Sequence, residues 1–190
     1  MSEPKGKLVI LSGPSGAGKS TVVRNLLETC SLPLALSVSA TTRAPRPGED
    51  HGVHYWFLSQ EEFLRRREAG EFLESCEVFG RGDWYGTLAE PVTSGLRTGQ
   101  WIILEIDTQG ARSVREHVPD AITIFIQPRS VEELERRLRG RKSDSEAAIQ
   151  RRLEVAREEL RQADWYQHVV INDEVHVASR EICRLLHTYK

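Results

Sequence analysis

The chain has 190 residues, a length that suits one compact α/β domain. Hydrophobic residues make up 39% and charged residues 28%, an ordinary globular balance that can bury a sizeable core. The formal net charge of -2 provides no general surface for polyanions, so we expect no nucleic-acid partner.

The cysteines and the N-terminal sequence indicate the compartment. Cys30, Cys76 and Cys183 lie far apart and include no Cys-x-x-Cys pair, so the sequence predicts neither a disulfide framework nor a zinc site. The apolar stretch Leu8–Leu11 is too short for a signal-peptide core, and no other segment is predicted to span a membrane. We therefore expect a cytoplasmic protein without a membrane partner.

Strand and helix patterns alternate along the chain. Leu8–Ser12 is an apolar run that stops at Gly13, as a buried strand does, and helical spacing begins at Ser20. Further strands are predicted at Leu34–Ser39, Trp101–Ile106, Ala121–Ile126 and His168–Ile171, and further helices at Thr108–Glu116, Ser130–Arg139 and Val175–Tyr189. This alternation predicts an α/β fold with a doubly wound, mostly parallel five-stranded sheet.

Two segments do not fit the alternation. Residues 40–96 are rich in Pro, Gly and aromatic residues, with one helix that Ser59 and Glu62 start as a capping box and a strand at Phe72–Val78. Residues 139–161 are dominated by charge, with a long helix from about Ser145. We interpret both segments as insertions beside the core sheet that cover a ligand.

A phosphate-binding loop follows the first predicted strand. The sequence Gly13-Pro14-Ser15-Gly16-Ala17-Gly18-Lys19-Ser20 satisfies G-x-x-x-x-G-K-[ST] at every defined position. Glycines allow the backbone N–H groups to surround phosphate oxygens at the start of a helix. Lys19 is expected to reach the β- and γ-phosphates, and the Ser20 hydroxyl to ligate Mg²⁺. The motif predicts that the chain binds a nucleoside triphosphate.

Arginines in two segments indicate where the phosphoryl group goes. Arg43 and Arg46 lie in a proline-stiffened loop after a predicted strand, where guanidinium groups suit bidentate capture of a second phosphate. The segment Arg136–Lys142, followed by Arg151 and Arg152, is rich in positive charge and suits a mobile lid over the transferring group. The alternative for the charged segment is a solvated helix, because glutamates alternate with these arginines.

Three carboxylates also lie at positions that suit ligand binding, one in the first insertion and two at the end of a core strand. Glu74 lies in the first insertion, and a carboxylate there can accept hydrogen bonds from the N–H and amino group on one edge of guanine, an arrangement that adenine does not offer. Glu105 and Asp107 end a predicted strand in the pattern Leu-Glu-Ile-Asp, a position that commonly orients Mg²⁺ or its waters. Asp107 also has the sequence context of a helix cap, and the two interpretations are compatible.

Together these residues resemble guanylate kinase over nearly the whole chain, from about Lys5 to His187. The resemblance is carried by Gly13–Ser20, Ser37–Arg46, Trp84–Thr87, Leu104–Gly110, Arg137–Arg152 and Ile171–Asp173. The connection Arg81–Trp84 is longer than is usual in that family.

The resemblance implies residue roles and a domain plan. It implies that ATP is bound by Gly13, Pro14, Ser15, Gly16, Ala17, Gly18, Lys19, Ser20, Thr21 and Asn172. It implies that the GMP phosphate is bound by Arg43, Arg46, Tyr55 and Tyr85, and the guanine by Ser39, Glu74 and Thr87, with Glu105 and Asp107 nearby. The catalytic residues that it implies are Lys19, Arg43, Arg137, Arg141 and Arg152. It implies a single domain over 1–190, with a core of about 1–38, 97–126 and 161–190, a GMP-binding insertion of about 39–96 and a lid of about 127–160.

The sequence therefore predicts direct transfer of a phosphoryl group from Mg·ATP to GMP and dGMP. Two alternatives stay open. One is a catalytically silent module of the same fold that binds phosphorylated protein partners. The other is a related kinase with a different nucleotide or a phosphorylated sugar as its acceptor.

Overall fold

The computed structural model describes residues 6–77, 82–140 and 146–190 of the chain. Its strands are β1 (Leu8–Ser12), β2 (Leu34–Leu36), β3 (Ala40–Thr41), β4 (Trp56–Phe57), β5 (Phe72–Glu77), β6 (Trp84–Leu88), β7 (Trp101–Glu105), β8 (Ile122–Gln127) and β9 (His168–Ile171). Its helices are α1 (Lys19–Thr29), α2 (Gln60–Glu68), α3 (Ala89–Arg97), α4 (Thr108–His117), α5 (Val131–Gly140), α6 (Glu146–Leu160) and α7 (Val175–His187), with a 3₁₀ turn at Ala163–Trp165.

The main sheet has five strands in the order β2-β7-β1-β8-β9, and every pair in it is parallel. Its centre is β1, whose five residues are all buried, as expected for a strand that is covered on both faces. The predicted doubly wound parallel sheet is therefore confirmed. The carboxyl ends of β1 and β7 lie side by side, with Leu11 opposite Glu105, so the loops that follow both strands meet at one edge.

Apolar side chains cover both faces of this sheet. Val9 and Leu11 of β1 belong to a buried cluster with residues of α1 and α7, whereas Leu8 and Ile10 belong to a second cluster with residues of α3 and α4. This division follows the alternation of side chains along a strand. Two helical layers therefore enclose the sheet and fix where the phosphate-binding loop leaves it.

A second, smaller sheet has the order β4-β3-β6-β5. The hairpin of β5 and β6 is antiparallel and places Tyr85 opposite Cys76 and Gly86 opposite Ser75. The strand predicted at Phe72–Val78 is confirmed as β5, but β6, the short β3 and β4 and the helix α3 were missed. Thr93, Ser94 and Gly95 obscure the helical pattern of α3, and strands of two residues have no periodicity to detect.

Only half of the predicted capping box forms at α2. The Ser59 hydroxyl accepts a hydrogen bond from the Glu62 backbone N–H at 3.1 Å, as a cap does. The Glu62 carboxylate instead accepts hydrogen bonds from Arg65 and Arg66. These arginines on the next turn compete successfully for the carboxylate, so the return bond to the Ser59 backbone is not made.

The helices α5 and α6 share a separate apolar cluster of Leu134, Leu138, Ile149, Leu153 and Ala156. The long helix predicted from about Ser145 is thereby confirmed as α6. Leu134 and Leu138 also pack against the phosphate-binding loop, since a Cβ at Gly16 would lie 2.9 Å from Leu134 Cδ1. Although these helices are rich in charged residues, the apolar side chains of Leu134 and Leu138 thus hold α5 against the loop.

The expectation that the cysteines form no disulfide is wrong. Cys30, which caps the C-terminus of α1, is joined to Cys183 of α7, with 5.7 Å between the two Cα atoms. The two cysteines are 153 residues apart in the sequence, so no local pattern predicts this bond. They meet because α1 and α7 pack side by side on one face of the sheet. Cys76 is a free thiol.

Within the described residues, every helix is either too short or too polar to cross a lipid bilayer.

Candidate active site

The phosphate-binding loop joins β1 to α1, as the motif requires. Gly13 has φ +145°, and a Cβ there would lie 2.0 Å from the Ile126 carbonyl oxygen. Gly18 has φ +83°, and a Cβ there would lie 2.6 Å from the side-chain amide of Asn172. Both positions need glycine because the backbone is left-handed and has close neighbours. Close contacts with strand β8 and with Asn172 therefore restrict the conformation of the loop.

Lys19 folds back over this loop. Its Nζ donates to the carbonyl oxygens of Gly13 at 2.5 Å and Pro14 at 3.1 Å. The ammonium group is thereby held at the concave side of the loop, where phosphate oxygens bind in loops of this kind.

Glu105 and Asp107, at the carboxyl end of β7, have separate partners. The Ser20 hydroxyl donates to Glu105 Oε1 at 2.6 Å, so oxygen atoms from α1 and β7 meet directly beside the loop. Asp107 Oδ1 accepts the Gly110 backbone N–H at 2.8 Å and caps α4. Hard oxygen donors such as Ser20 and Glu105 fit Mg²⁺.

Arg43 and Arg46 lie in a loop closed by a tight turn. The Glu49 backbone N–H donates to the Arg46 carbonyl at 3.0 Å, with Pro47 second in the turn and Gly48 third at φ +85°. These are the residues and the positive φ that a type II turn requires. The turn directs the Glu49 carboxylate back toward Arg43.

Glu49 holds Arg43 through two parallel hydrogen bonds. Nη1 and Nη2 of Arg43 donate to the two carboxylate oxygens at 2.9 and 3.0 Å, and Arg43 Nε donates to the Tyr85 hydroxyl at 3.1 Å. The hydrogen bonds from Arg43 hold the pKa of Glu49 below its usual value. Tyr55 lies beneath the guanidinium, its ring centre 5.4 Å from Arg43 Cζ, and burial raises its pKa. Arg43 is thus fixed in one orientation.

Glu74 and Thr87 form a buried polar pair on β5 and β6. The Thr87 hydroxyl donates to Glu74 Oε1 at 2.7 Å, and Glu74 is only 6% exposed. Its other oxygen faces Gly110 at the start of α4, where a Cβ would lie 3.0 Å from Oε2. Burial, together with the nearby charge of Asp107, raises the pKa of Glu74 to about 7. Burial likewise raises the pKa of the Cys76 thiol, whose Sγ lies 3.7 Å from Asp107 Oδ2.

These groups surround one cavity of about 680 Å³, a size typical of ligand sites. It is lined by the following predicted residues: Gly13, Ser15, Lys19, Ser39, Arg43, Arg46, Tyr55, Glu74, Tyr85, Glu105, Asp107 and Arg152. The phosphate-binding loop therefore lies at one side of the cavity, and Arg43 and Glu74 line the same space.

Other predicted residues contact the lining or the loop. Ser20 donates a hydrogen bond to the lining residue Glu105, and Thr87 donates one to the lining residue Glu74. Arg137 donates to the carbonyl oxygens of Ala17 at 3.3 Å and Asn172 at 2.8 Å, and it pairs with Glu133. Arg137 thus supports the back of the loop in this conformation. Pro14, Gly16 and Gly18 form the loop itself, Thr21 is an exposed residue of α1, and Arg141 lies outside the described residues.

Asn172 contacts the same carbonyl from the end of β9. Its Nδ2 donates to the Ala17 carbonyl at 2.7 Å. The side chain is 2% exposed, and its Oδ1 accepts no hydrogen bond from the described residues. Asn172 therefore holds the loop from behind through its amide N–H.

Sequence reasoning missed several lining residues, above all Glu49 and Glu159. Glu159 of α6 accepts the Ser15 backbone N–H at 3.4 Å, burial raises its pKa, and the charge of Lys19 opposes that rise. The remaining lining residues that were missed are Cys76, Glu77, Gly86, Ile106, Thr108, Gln109, Val155, Glu158 and Gln162. The turn signal Arg46-Pro47-Gly48-Glu49 could have identified Glu49, whereas only the packing of α6 reveals Glu159.

Comparison with known proteins agrees with this geometry. The family model described as guanylate kinase matches residues 5–189. The chain is 55% identical to the guanylate kinase of Rhodopirellula baltica over 182 residues, which cover 95% of this chain and 87% of that protein. It is 50% identical to the guanylate kinase of Synechococcus sp. over 183 residues, which cover 96% and 83% of the two chains.

Solved structures give the same result. The crystal structure of guanylate kinase from Anaplasma phagocytophilum has a TM-score of 0.80 and 34% identity, and the match covers 98% of this chain and 87% of that one. A shikimate kinase from Bacteroides thetaiotaomicron, at a TM-score of 0.50 and 12% identity, shares the fold alone. The matches in sequence and in structure extend over nearly the whole chain, and the chain belongs to the guanylate kinase family.

Proposed function

We propose that this chain transfers the γ-phosphoryl group of ATP to GMP or dGMP, forming ADP and GDP or dGDP in purine nucleotide metabolism. The observation that carries the proposal is the single cavity of about 680 Å³ that Lys19, Arg43 and Glu74 line together. A triphosphate site and a guanine-reading carboxylate in one cavity suit a transferase with two nucleotide substrates.

The ATP side is the loop Gly13–Ser20. Its N–H groups and Lys19 would bind the phosphates, and Asn172 would lie near the adenine. Ser20 and Glu105 would hold Mg²⁺, directly or through waters. Mg²⁺, when bound, would neutralise charge on the phosphates.

Arg43, Arg46, Tyr55 and Tyr85 would bind the GMP phosphate. The hydrogen bond from Arg43 Nε to the Tyr85 hydroxyl brings two of these groups together. Glu49 pairs with Nη1 and Nη2 of Arg43 and fixes the orientation in which this guanidinium would meet the phosphate.

Ser39, Glu74 and Thr87 would recognise the base. The Thr87 hydroxyl uses one of the two acceptor positions of Glu74 Oε1, since a carboxylate oxygen accepts two hydrogen bonds. The carboxylate can therefore accept the N1–H and the 2-amino group of guanine. Adenine has no N–H at N1, which gives a physical basis for choosing GMP.

The transfer itself would be direct and in line, because positioning and charge neutralisation drive this chemistry. The attacking phosphate oxygen is already largely ionised near neutral pH, so no side-chain base is needed. Lys19, Arg43 and Arg152 would neutralise the transferring group, joined by Arg137 and Arg141 when the lid closes. We also propose that residues of about 39–96 and 127–160 close as flaps over the core of about 1–38, 97–126 and 161–190. A cytoplasmic location stays a prediction from the sequence.

An acceptor panel tests this proposal. ADP release from Mg·ATP is followed with GMP, dGMP, AMP, UMP and CMP in turn. We expect turnover with GMP and dGMP and little with the others. Turnover with another acceptor would support a related kinase, and ATP binding by folded protein without any turnover would support the silent binding module.

A further inference from the structure

A cluster of ligand-type side chains lies away from the active-site cavity, where α1 and α7 end. Cys30 caps the C-terminus of α1, and Cys183 lies on α7, with 5.7 Å between their Cα atoms. His187 follows one helical turn after Cys183, on the same side of α7. The two sulfurs and a ring nitrogen of His187 all lie within 4.8 Å of one another.

We propose that, once the Cys30–Cys183 disulfide is reduced, Cys30, Cys183 and His187 bind Zn²⁺ as a Cys₂His site. Thiolates and imidazole are the ligands that zinc prefers, and three of them leave the fourth tetrahedral position to water. The site is outside the proposed nucleotide-transfer chemistry and does not depend on it.

The distances suit zinc. His187 Nδ1 lies 3.7 Å from Cys183 Sγ. Zinc bonds of about 2.3 Å to sulfur and about 2.0 Å to nitrogen, at a tetrahedral angle, place those two atoms about 3.5 Å apart. Cys30 Sγ and Cys183 Sγ must move apart to bind one metal ion, and breaking the disulfide allows that movement; Cys30 Sγ and the ring nitrogen of His187 are already within 4.8 Å.

Ser31 provides the outer contact that such a histidine needs. His187 Nδ1 donates to the Cys183 carbonyl at 2.8 Å, which leaves Nε2 to accept from the Ser31 hydroxyl at 3.4 Å. When Nδ1 binds metal, the proton moves to Nε2 and is donated to Ser31 Oγ. A ligating histidine commonly donates its other N–H in this way. The exposed carbonyl of Cys183 can then accept from water.

The chemistry balances through an external dithiol reductant. Reduction breaks the bond between Cys30 and Cys183, converts the reductant to its own disulfide and leaves two thiols on the protein. Zinc binding then releases the two thiol protons. A disulfide-forming oxidant reverses the sequence: two electrons leave the thiolates and the metal is expelled. The ends of α1 and α7 are thus linked in both states, first by a covalent bond and then by a metal.

Metal binding to matched variants tests the proposal. Reduced, nucleotide-free protein is titrated with Zn²⁺ and with Co²⁺, whose thiolate charge-transfer absorption reports sulfur ligands. We expect about one site per chain in the wild type and in Cys76→Ser, because Cys76 is the remote control. Cys183→Ser should lose the absorption, and His187→Ala should bind at least tenfold more weakly. Oxidised wild type should bind no zinc here.

Two outcomes would overturn the site. Reduced wild type binding no more zinc than Cys183→Ser would leave the two cysteines as a disulfide only. Loss of the thiolate absorption in Cys76→Ser would place the metal elsewhere. If Cys183→Ser does not fold, alkylation of the reduced wild type gives the answer, since bound zinc must protect Cys30 and Cys183 and leave Cys76 unprotected.

Discussion

The Thr87 hydroxyl donates a hydrogen bond to Oε1 of Glu74 across the β5–β6 hairpin, at 2.7 Å and with both residues buried. The register of the two strands places these residues directly opposite each other. Their bond orients the carboxylate toward the cavity and leaves Oε2 beside the start of α4. The proposed preference for guanine depends on this orientation.

Glu74→Gln should lower kcat/KM for GMP by about 10- to 100-fold, because hydrogen bonds to a charged acceptor are worth about 1.5–3 kcal/mol. The Kd for ATP should stay within about twofold, since the loop Gly13–Ser20 is untouched. Steady-state kinetics and ATP titration measure the two effects. Glu68→Gln, an exposed carboxylate of α2, is the matched control. An equal loss for both nucleotides would remove Glu74 from base recognition.

The pKa of Glu74, raised to about 7, predicts that GMP binding weakens in acid. The ionised carboxylate accepts the guanine N–H groups, so a protonated Glu74 must lose its proton first. At pH 6 the carboxyl is about nine-tenths protonated, and the GMP affinity should be about tenfold lower than well above pH 7. The GMP phosphate also titrates near pH 6, so the wild-type profile is compared with that of Glu74→Gln. Identical profiles would contradict the prediction.

The same pKa predicts a sign for stability. The folded state binds this proton more tightly than the unfolded chain does, so the stabilisation is complete below the unfolded pKa of about 4.3 and is lost as the pH rises through about 7. Without nucleotide, Glu74→Gln should therefore unfold at a higher temperature than wild type at pH 8. The difference should shrink toward pH 5. Thermal unfolding followed by circular dichroism measures both, and a difference that does not vary with pH would refute the assignment.

Glu49→Gln should raise the KM for GMP by about tenfold. The substitution removes one of the two acceptor oxygens that hold Arg43 and the charge that orients it. The KM for ATP should change little, because Glu49 lies on the GMP side of the cavity. Asp50→Asn is the neighbouring control, with the same loss of charge at an exposed position. A KM for GMP that stays at the wild-type value would show that Arg43 does not need this partner.

Glu159→Gln should tighten ATP binding about fivefold. The Glu159 carboxylate lies against the Ser15 N–H and near Lys19, where triphosphate oxygens bind, and two like charges about 4 Å apart repel by about 1 kcal/mol even in water. Calorimetric titration with ATP measures the change. Glu154→Gln changes an exposed carboxylate of the same helix outside the cavity lining and serves as the control. Weaker binding in Glu159→Gln would indicate that Glu159 contacts the nucleotide favourably.

The sequence predicted the core sheet because its strands are continuous apolar runs whose lengths match the pattern of a buried parallel sheet. It predicted Lys19, Arg43 and Glu74 through motifs that carry their own chemistry. It did not predict β3, β4 or the disulfide of Cys30 and Cys183, because these depend on contacts between distant segments. Glu159 was not predicted as a site residue for the same reason, because a carboxylate on a charged helix has no local sequence signal that it points into a cavity.

Arg137 shows a different gap between sequence and structure. The resemblance assigns it to the transferring phosphoryl group, whereas here it bonds to the carbonyls of Ala17 and Asn172 behind the loop. A motif identifies a residue type at a position, but it does not say in which conformation that residue acts. The proposed lid closure would decide where this guanidinium lies during transfer.

The central claim is that phosphoryl transfer occurs between two bound nucleotides, and product analysis tests it most directly. Mg·ATP and GMP are incubated with wild type and with Lys19→Ala, and the nucleotides are separated by chromatography. We predict that wild type forms ADP and GDP in equal amounts and that Lys19→Ala loses at least about a hundredfold in rate, since Lys19 stabilises charge in the transition state. ADP formed without GDP, or near-wild-type turnover by Lys19→Ala, would contradict the account.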